Sequence, residues 1–458
     1  MMYPSKLPLF VTLSSILLMC FSCNGFLSID PPKDQLVSSK VFTDEQSAKA
    51  ALFGIYGDGL SQDPLGGGLY IASALTAGEI ENHSSNENYD QFQNHDILPD
   101  NVQVNVIWNK IYSIIYQANL IIEGMQHSTE LPDEVKAQIK GEALFVRAYC
   151  YFWLTNIWGS IPIVLTSAYD KNQSLPNDNG TAVYARIVED LTKAYALIDN
   201  AYQGDERVRP NKATVAAMLA RVYLYLQQWN LAVQYATKVI DDPRYQLSNV
   251  NDVFVKESGE TIWQVMSVGR SNNTAIAPQL VPPSTSSVPS ISITNDLIQI
   301  FETGDKRLSS WIGKNVTSTE PPETYSYPYK YKVANAATKQ EYQVIFRLAE
   351  QYLIRAEALA QLGNLADAAK DINVIRQRAE VDGVHFQNRE DLFLLLMEER
   401  QRELFLEGGH RWFDLKRTGQ IDVVMGQKYP HWKSYKALWP IPYNQLLANP
   451  FLIQNAGY

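Results

Sequence analysis

Three deficits narrow the problem. Cysteine is scarce, with 3 in 458 residues, so no framework of several disulfides is open to the chain. Positive charge is short: the formal net charge is −10, which argues against a nucleic-acid binder, whose phosphate contacts need a basic footprint. Catalytic signatures are missing. There is no Gly-x-Ser-x-Gly, no phosphate-binding glycine-rich loop and no His-Glu-x-x-His. Gly66-Gly67-Gly68 lacks the strand, helix and lysine of a nucleotide site. A pair of glycosidase carboxylates stays open among 49 acidic residues, because their spacing in sequence is arbitrary. Beyond the N-terminus, no apolar run is long enough to cross a bilayer.

The N-terminus is informative. One basic residue, Lys6, precedes an apolar run from Leu7 to Phe21. That run is too short to span a membrane comfortably and has the form of a secretory signal. The usual small-residue cleavage site is replaced by Cys20-Phe-Ser22-Cys23-Asn-Gly. Ser22 before Cys23 resembles a bacterial lipoprotein processing site. Residues 1–22 are then the signal peptide, and Cys23 is the lipidated first residue of the mature chain. Cys20 follows the bulky Met19 and fits less well. Losing Lys6 takes the net charge from −10 to −11. Cys150 stands alone in an apolar helix and is expected to be a small buried hydrophobe.

Helical periodicity dominates the rest. In Val183–Ile198 the apolar positions recur at three and four residues, one face of a helix. Ala220–Ala232 aligns with Ala356–Ala368, each with small alanines twelve apart. That is the spacing at which the two helices of a tetratricopeptide hairpin approach closely. The expected fold is mainly α, a degenerate TPR-like helical-hairpin scaffold with long irregular loops and a few short strands. Three stretches read as loops: Gly78–Asn105, Gly269–Ile293 and Gly313–Ala334. Loops of that length inside a domain are usually functional. In the third, Tyr325, Tyr327, Tyr329 and Tyr331 alternate, which suits a short strand with one aromatic face. The mature chain, 23–458, is expected to be one intertwined unit with an N-terminal part of about 23–260 and a C-terminal part of about 261–458.

Glu407-Gly-Gly-His410 is a Glu-x-x-His, the spacing used by di-iron carboxylate bundles. Asn388 is a good N-cap for the helix before it, whose apolar stripe includes Phe393, Leu396, Met397 and Leu404. Arg400 falls on that stripe and needs a carboxylate, Glu403 or Glu407. Gly408-Gly409 reads as a helix stop, since glycine takes the left-handed turn readily. His410 then leaves the helical face of Glu407, and no second Glu-x-x-His exists to complete a di-iron site. A charged knot joining two helices, the second over Trp412–Lys416, is expected instead. Neither metal nor other cofactor is implied.

Taken together, several blocks resemble the SusD/RagB family of outer-membrane lipoproteins. They are Cys23-Asn-Gly-Phe-Leu-Ser-Ile-Asp-Pro-Pro, Glu142–Phe152 with Gly159-Ser-Ile-Pro-Ile-Val, Phe346–Ala358, Glu399–Arg417, Trp439-Pro-Ile-Pro and Asn449–Tyr458. The resemblance implies a cell-surface, lipid-anchored protein that captures an oligosaccharide without cleaving it. It also implies delivery of that ligand to a SusC-like TonB-dependent transporter. Flat aromatic rings would stack on sugar faces while amides and charged groups take the hydroxyls. The 26 Tyr, 16 Phe and 9 Trp supply rings in quantity. From composition and loop position, Asn86, Tyr89, Phe92 and Trp311 are the candidate ligand-binding residues, the first three ahead of Trp108-Asn-Lys-Ile-Tyr112. A secreted hydrolase on a helical scaffold and a TPR-like adaptor that binds only protein are the alternatives. Glycan turnover would mark the first, and binding to no glycan the second.

Overall fold

A computed structural model describes residues 41–268 and 273–458. The signal segment and Cys23 lie outside the described residues. Those described form 18 α-helices and six short strands, so the expected mainly-α fold stands.

The helices follow from period and caps. Helix α1 (Glu45–Gly54) leads through a π-turn to α2 (Gly68–Thr76), strand β1 (Ile80–Asn82) and α3 (Glu87–Gln93). Helix α4 (Val102–His127) buries Val104, Ile107, Trp108, Ile111, Ile114, Ile115 and Ala118, a stripe at three- and four-residue steps. Helix α5 (Asp133–Trp158) is buried without a break from Gly141 to Thr155, as a helix apolar all round must be when it is central. Cys150 lies within that stretch, and burial pushes its thiol far above the ordinary range. Asparagine caps recur: Asn101 for α4, Asn179 for Gly180–Leu197 and Asn388 for Arg389–Leu404 each accept from a backbone N–H three residues on.

Past the short α6 (Tyr169–Asn172), α7 (Gly180–Leu197) packs on α5. Then come α8 (Lys212–Tyr225) and α9 (Trp229–Ile240), the first expected hairpin. The second is α10 (Leu348–Gln361) with α11 (Leu365–Arg378). Ala220, Ala232, Ala356 and Ala368 are all fully buried where the paired helices meet. Although distant in sequence, the two hairpins stack: α9 packs on α10, and Arg355 donates to Thr237 Oγ1 at 3.3 Å.

The six strands form three two-stranded antiparallel ribbons. β1 pairs with β3 (Ile291–Ile293), β2 (Thr261–Val265) with β6 (Gln343–Arg347), and β4 (Ile312–Val316) with β5 (Thr324–Pro328). The alternating tyrosines do form part of a strand: Tyr327 in β5 faces Gly313, where any Cβ would run into its ring. The expected loop Gly78–Asn105 is the larger departure. It contains β1, α3 and the start of α4.

The charged knot is real but paired differently. Helix α12 (Arg389–Leu404) ends before the glycines, and Leu406, Gly408 and Gly409 all have positive φ. Helix α13 (His410–Arg417) follows. Arg400 is buried, and its partner is neither Glu403 nor Glu407. It donates to both oxygens of Asp414 on α13, at 2.8 and 3.2 Å. The turn folds α13 back so that Asp414, which also accepts from Arg417, meets Arg400 across the helix pair. Glu403 instead takes Arg307, Arg347 and Arg378. Glu407 takes Lys330 at 2.5 Å and Arg347 at 2.7 Å. Burial and the neighbouring Arg221 and Arg400 hold His410 neutral, well below its ordinary range. Among the described residues, no three His, Cys, Asp or Glu side chains gather as a metal-holding group.

Candidate functional site: an aromatic cleft on helix α4

Four-residue steps along α4 place Trp108, Tyr112 and Tyr116 on one face, about 6 Å apart per step. Trp108 is 3% exposed, edge-on to Trp158 and tilted on Tyr112. Tyr112 is half-buried, and its hydroxyl donates to Pro162 O at 2.9 Å. Burial pushes that phenol far up, so it stays a donor. Tyr116 is 46% exposed. The face thus grades from core to solvent.

The opposite wall is the chain from Pro162 to Gln173. A buried polar relay holds it in place. Asp190 accepts two bonds from Arg147, each at 2.8 Å. Arg147 donates to Asn119 Oδ1 at 2.7 Å, and Asn119 donates in turn to the carbonyls of Val164 and Thr166. Tyr151 adds a pair of 2.7 Å bonds to the Val164 backbone. Each buried polar atom is thereby satisfied, which makes the wall costly to displace. It carries Tyr169, 74% exposed.

Helix α14 (Tyr443–Ala448) and the following residues close the third side. Gln445 donates to Asn109 Oδ1 at 2.9 Å and Asn449 to Leu175 O at 2.8 Å. Asn172 donates to Thr166 O at 2.8 Å. The result is a cleft of about 550 Å³ lined by Trp108, Tyr112, Tyr116, Tyr169 and the amides of Asn172, Gln173, Gln445 and Asn449, among others. That volume is within the range of small-ligand sites. Flat rings and fixed amides are what a sugar needs: apolar surface for its C–H face and donors and acceptors for its hydroxyls.

None of the four sequence candidates lines this cleft. Asn86 caps α3, its Oδ1 accepting from Asn88 N at 3.1 Å. Tyr89 is 8% exposed, donates to Gln279 Oε1 at 3.4 Å, and is pushed up by burial to about 12. Phe92 is fully buried, 4.7 Å from the Trp439 ring. Trp311 is fully buried and donates to Val250 O at 2.8 Å, with the Lys330 ammonium 4.7 Å from its ring centre. Tyr89 and Phe92 stand three residues apart, a helical spacing, and together they form the inner face of α3. Helix α3 abuts the start of α4, with Val102 N donating to Asn88 Oδ1. The α3 candidates therefore flank the aromatic face without joining it, while Trp311 packs with Phe254 and Phe405 in the core by the knot. The signal for Tyr112 and Tyr116 was the i, i+4, i+8 series of rings. Nothing local marked Tyr169 or Gln445.

Two family models match the chain: one described as starch-binding associating with outer membrane, over residues 26–224, and the SusD family, over residues 301–458. The chain belongs to the SusD/RagB family. SusD-like protein P25 of Formosa agariphila is similar at 25% identity, over 96% of this chain and 97% of that one. The starch-binding protein SusD of Bacteroides thetaiotaomicron is 38% identical over 129 residues, 25% of this chain and 21% of its own length. A SusD superfamily structure from Bacteroides vulgatus superposes with a TM-score of 0.81 at 21% identity, covering 91% of this chain and 99% of that one. A laminarin-binding SusD-like protein superposes with a TM-score of 0.77 at 23% identity, covering 91% and 100%. Both structures share the SusD fold seen here.

Proposed function

We propose that this SusD-family protein captures an oligosaccharide in the α4 cleft and passes it, uncleaved, to a SusC-like TonB-dependent transporter. The supporting observation is the cleft itself, with two exposed tyrosines facing fixed amides on a fold shared with a laminarin-binding neighbour. Among the described residues its lining holds no carboxylate, whereas glycoside hydrolysis uses a pair of them. Delivery draws support from the rim. Tyr443, Leu447, Phe451 and Ile453 are exposed on and after α14, beside the lining residues Gln445 and Leu452. Such a patch suits a partner surface. Anchoring is by lipid on Cys23, with the cleft facing outside the cell.

Calorimetry of the mature protein against a glycan panel tests capture, with chromatography of the same mixtures to detect cleavage. Binding without products is expected; released products would replace capture with hydrolysis. Leu447→Asp with Ile453→Asp should abolish co-purification with the transporter while glycan affinity holds. Cys23→Ala should release the protein from membranes or leave its signal uncleaved.

A further inference from the structure

We propose that the cleft selects neutral oligosaccharides and rejects those bearing uronate or sulfate groups. This narrows the ligand class and rests on the capture reading above.

The inference comes from where charge is and is not placed. Among the described residues, no Asp, Glu, His, Lys or Arg lines the α4 cleft. Three other surface grooves among the described residues are all charged. One carries Lys238, Asp241, Asp242 and Arg244. Another carries Arg355, Asp367, Lys370 and Asp371. The third carries Glu123, His127 and Glu130. Of these four grooves, the α4 cleft alone is lined without charge.

An anionic sugar entering it would shed water from its carboxylate or sulfate without gaining a cationic partner, and unpaired charge is costly to desolvate. Arginine, the usual partner of such groups, is missing from the walls. The nearby charges are carboxylates on balance: Asp178, behind the wall, accepts from Ile163 N at 3.1 Å, and a single lysine, Lys171, stands beside Tyr169. Glu123 sits behind Ser167, accepting from its N–H at 3.0 Å and its hydroxyl at 2.5 Å. Asp170 and Lys171, beside Tyr169, are exposed and of opposite sign. The whole chain, at −10, repels anions at long range. A neutral ring meets none of these penalties. Its C–H faces can stack on Tyr116 and Tyr169, and its hydroxyls can meet Asn172, Gln173, Gln445 and Asn449.

The test is calorimetry of the mature protein with laminarin and a linear neutral α-glucan, and with alginate and a sulfated galactan, each at low and high salt. At least one neutral glycan should bind, with both anionic chains weaker by about tenfold or more, a gap of about 1.4 kcal/mol. Neutral affinity should change by less than about threefold up to roughly 1 M salt, where screening acts within about 3 Å. Tyr116→Ala and Tyr169→Ala should each weaken it. Anionic chains binding as tightly as neutral ones, or neutral affinity that both tyrosine variants leave unchanged, would overturn the proposal while leaving glycan capture in place. Binding of neither class would remove the capture reading, and this inference with it.

Discussion

The knot around Glu403 and the cleft beside Tyr116 treat polarity in opposite ways. In the knot, full charges are buried, and each is matched. Arg347 alone reaches Glu260, Glu403 and Glu407, tying β6 to β2 and to the end of α12. In the cleft, charge is kept out of the lining and dipoles remain: phenols, amides and carbonyls, several fixed by bonds to backbone. Buried ion pairs tie elements together, and breaking one is costly because its partner is stranded. Dipoles in a cleft that stays partly wet can exchange water for ligand hydroxyls at little cost. The contrast separates residues that hold the scaffold from residues free to meet a ligand.

The sharpest break is Arg347→Ala. It takes one partner from each of three buried carboxylates, leaving Glu403 with Arg307 and Arg378, Glu260 with Arg378 and Glu407 with Lys330, and should cost about 3–5 kcal/mol, seen as a large fall in Tm. A variant melting near wild type would show that the knot does not hold the scaffold. Phe92→Ala comes next. This ring is core, so its removal should cost about 3–5 kcal/mol, with the loss in Tm and not in glycan affinity of the folded fraction.

Glu79 sharpens the comparison, because it is a charge in the interior that is poorly matched. Its Oε2 accepts from Leu406 N at 3.1 Å, while its Oε1 is buried without a partner. Burial raises its pKa from 4.5 to about 7. A raised carboxyl pKa means that the folded state binds its proton first as pH falls. The ionised form therefore costs stability above about pH 7, and that cost disappears as pH falls toward 4.5. Glu79→Gln should be more stable than wild type by about 1–3 kcal/mol at alkaline pH. The gap should close on acidification, as read by denaturant melts across pH. A constant gap would point away from titration of Glu79.

The smallest effect is on the other side of the comparison. Tyr116→Ala should weaken glycan binding by about 0.5–1.5 kcal/mol, the worth of one stacked ring beyond burial. Tm should hold, because the ring is already half in solvent. A fall in Tm with affinity intact would move Tyr116 from the cleft to the scaffold.

What the sequence determined by itself was local or periodic. Apolar steps of three and four mark α7, and alanines twelve apart mark both hairpins. Asn388 and the Gly408-Gly409 turn bound the knot, and the ordered blocks place the chain in its family. These features act over one or two helical turns, within reach of propensity and period. Partner choice was beyond that reach. Arg400 could have met Glu403 along the helix, but the positive-φ turn at Leu406–Gly409 folds α13 back and puts Asp414 there instead. Asn86, Tyr89 and Phe92 looked like loop groups until α3 formed and turned two of them inward. The cleft brings together α4, a wall set by the Asp190–Arg147–Asn119 relay, and a helix from the last residues of the chain. Only the tertiary structure decides such a meeting, because each side chain's exposure depends on which distant element comes to cover it.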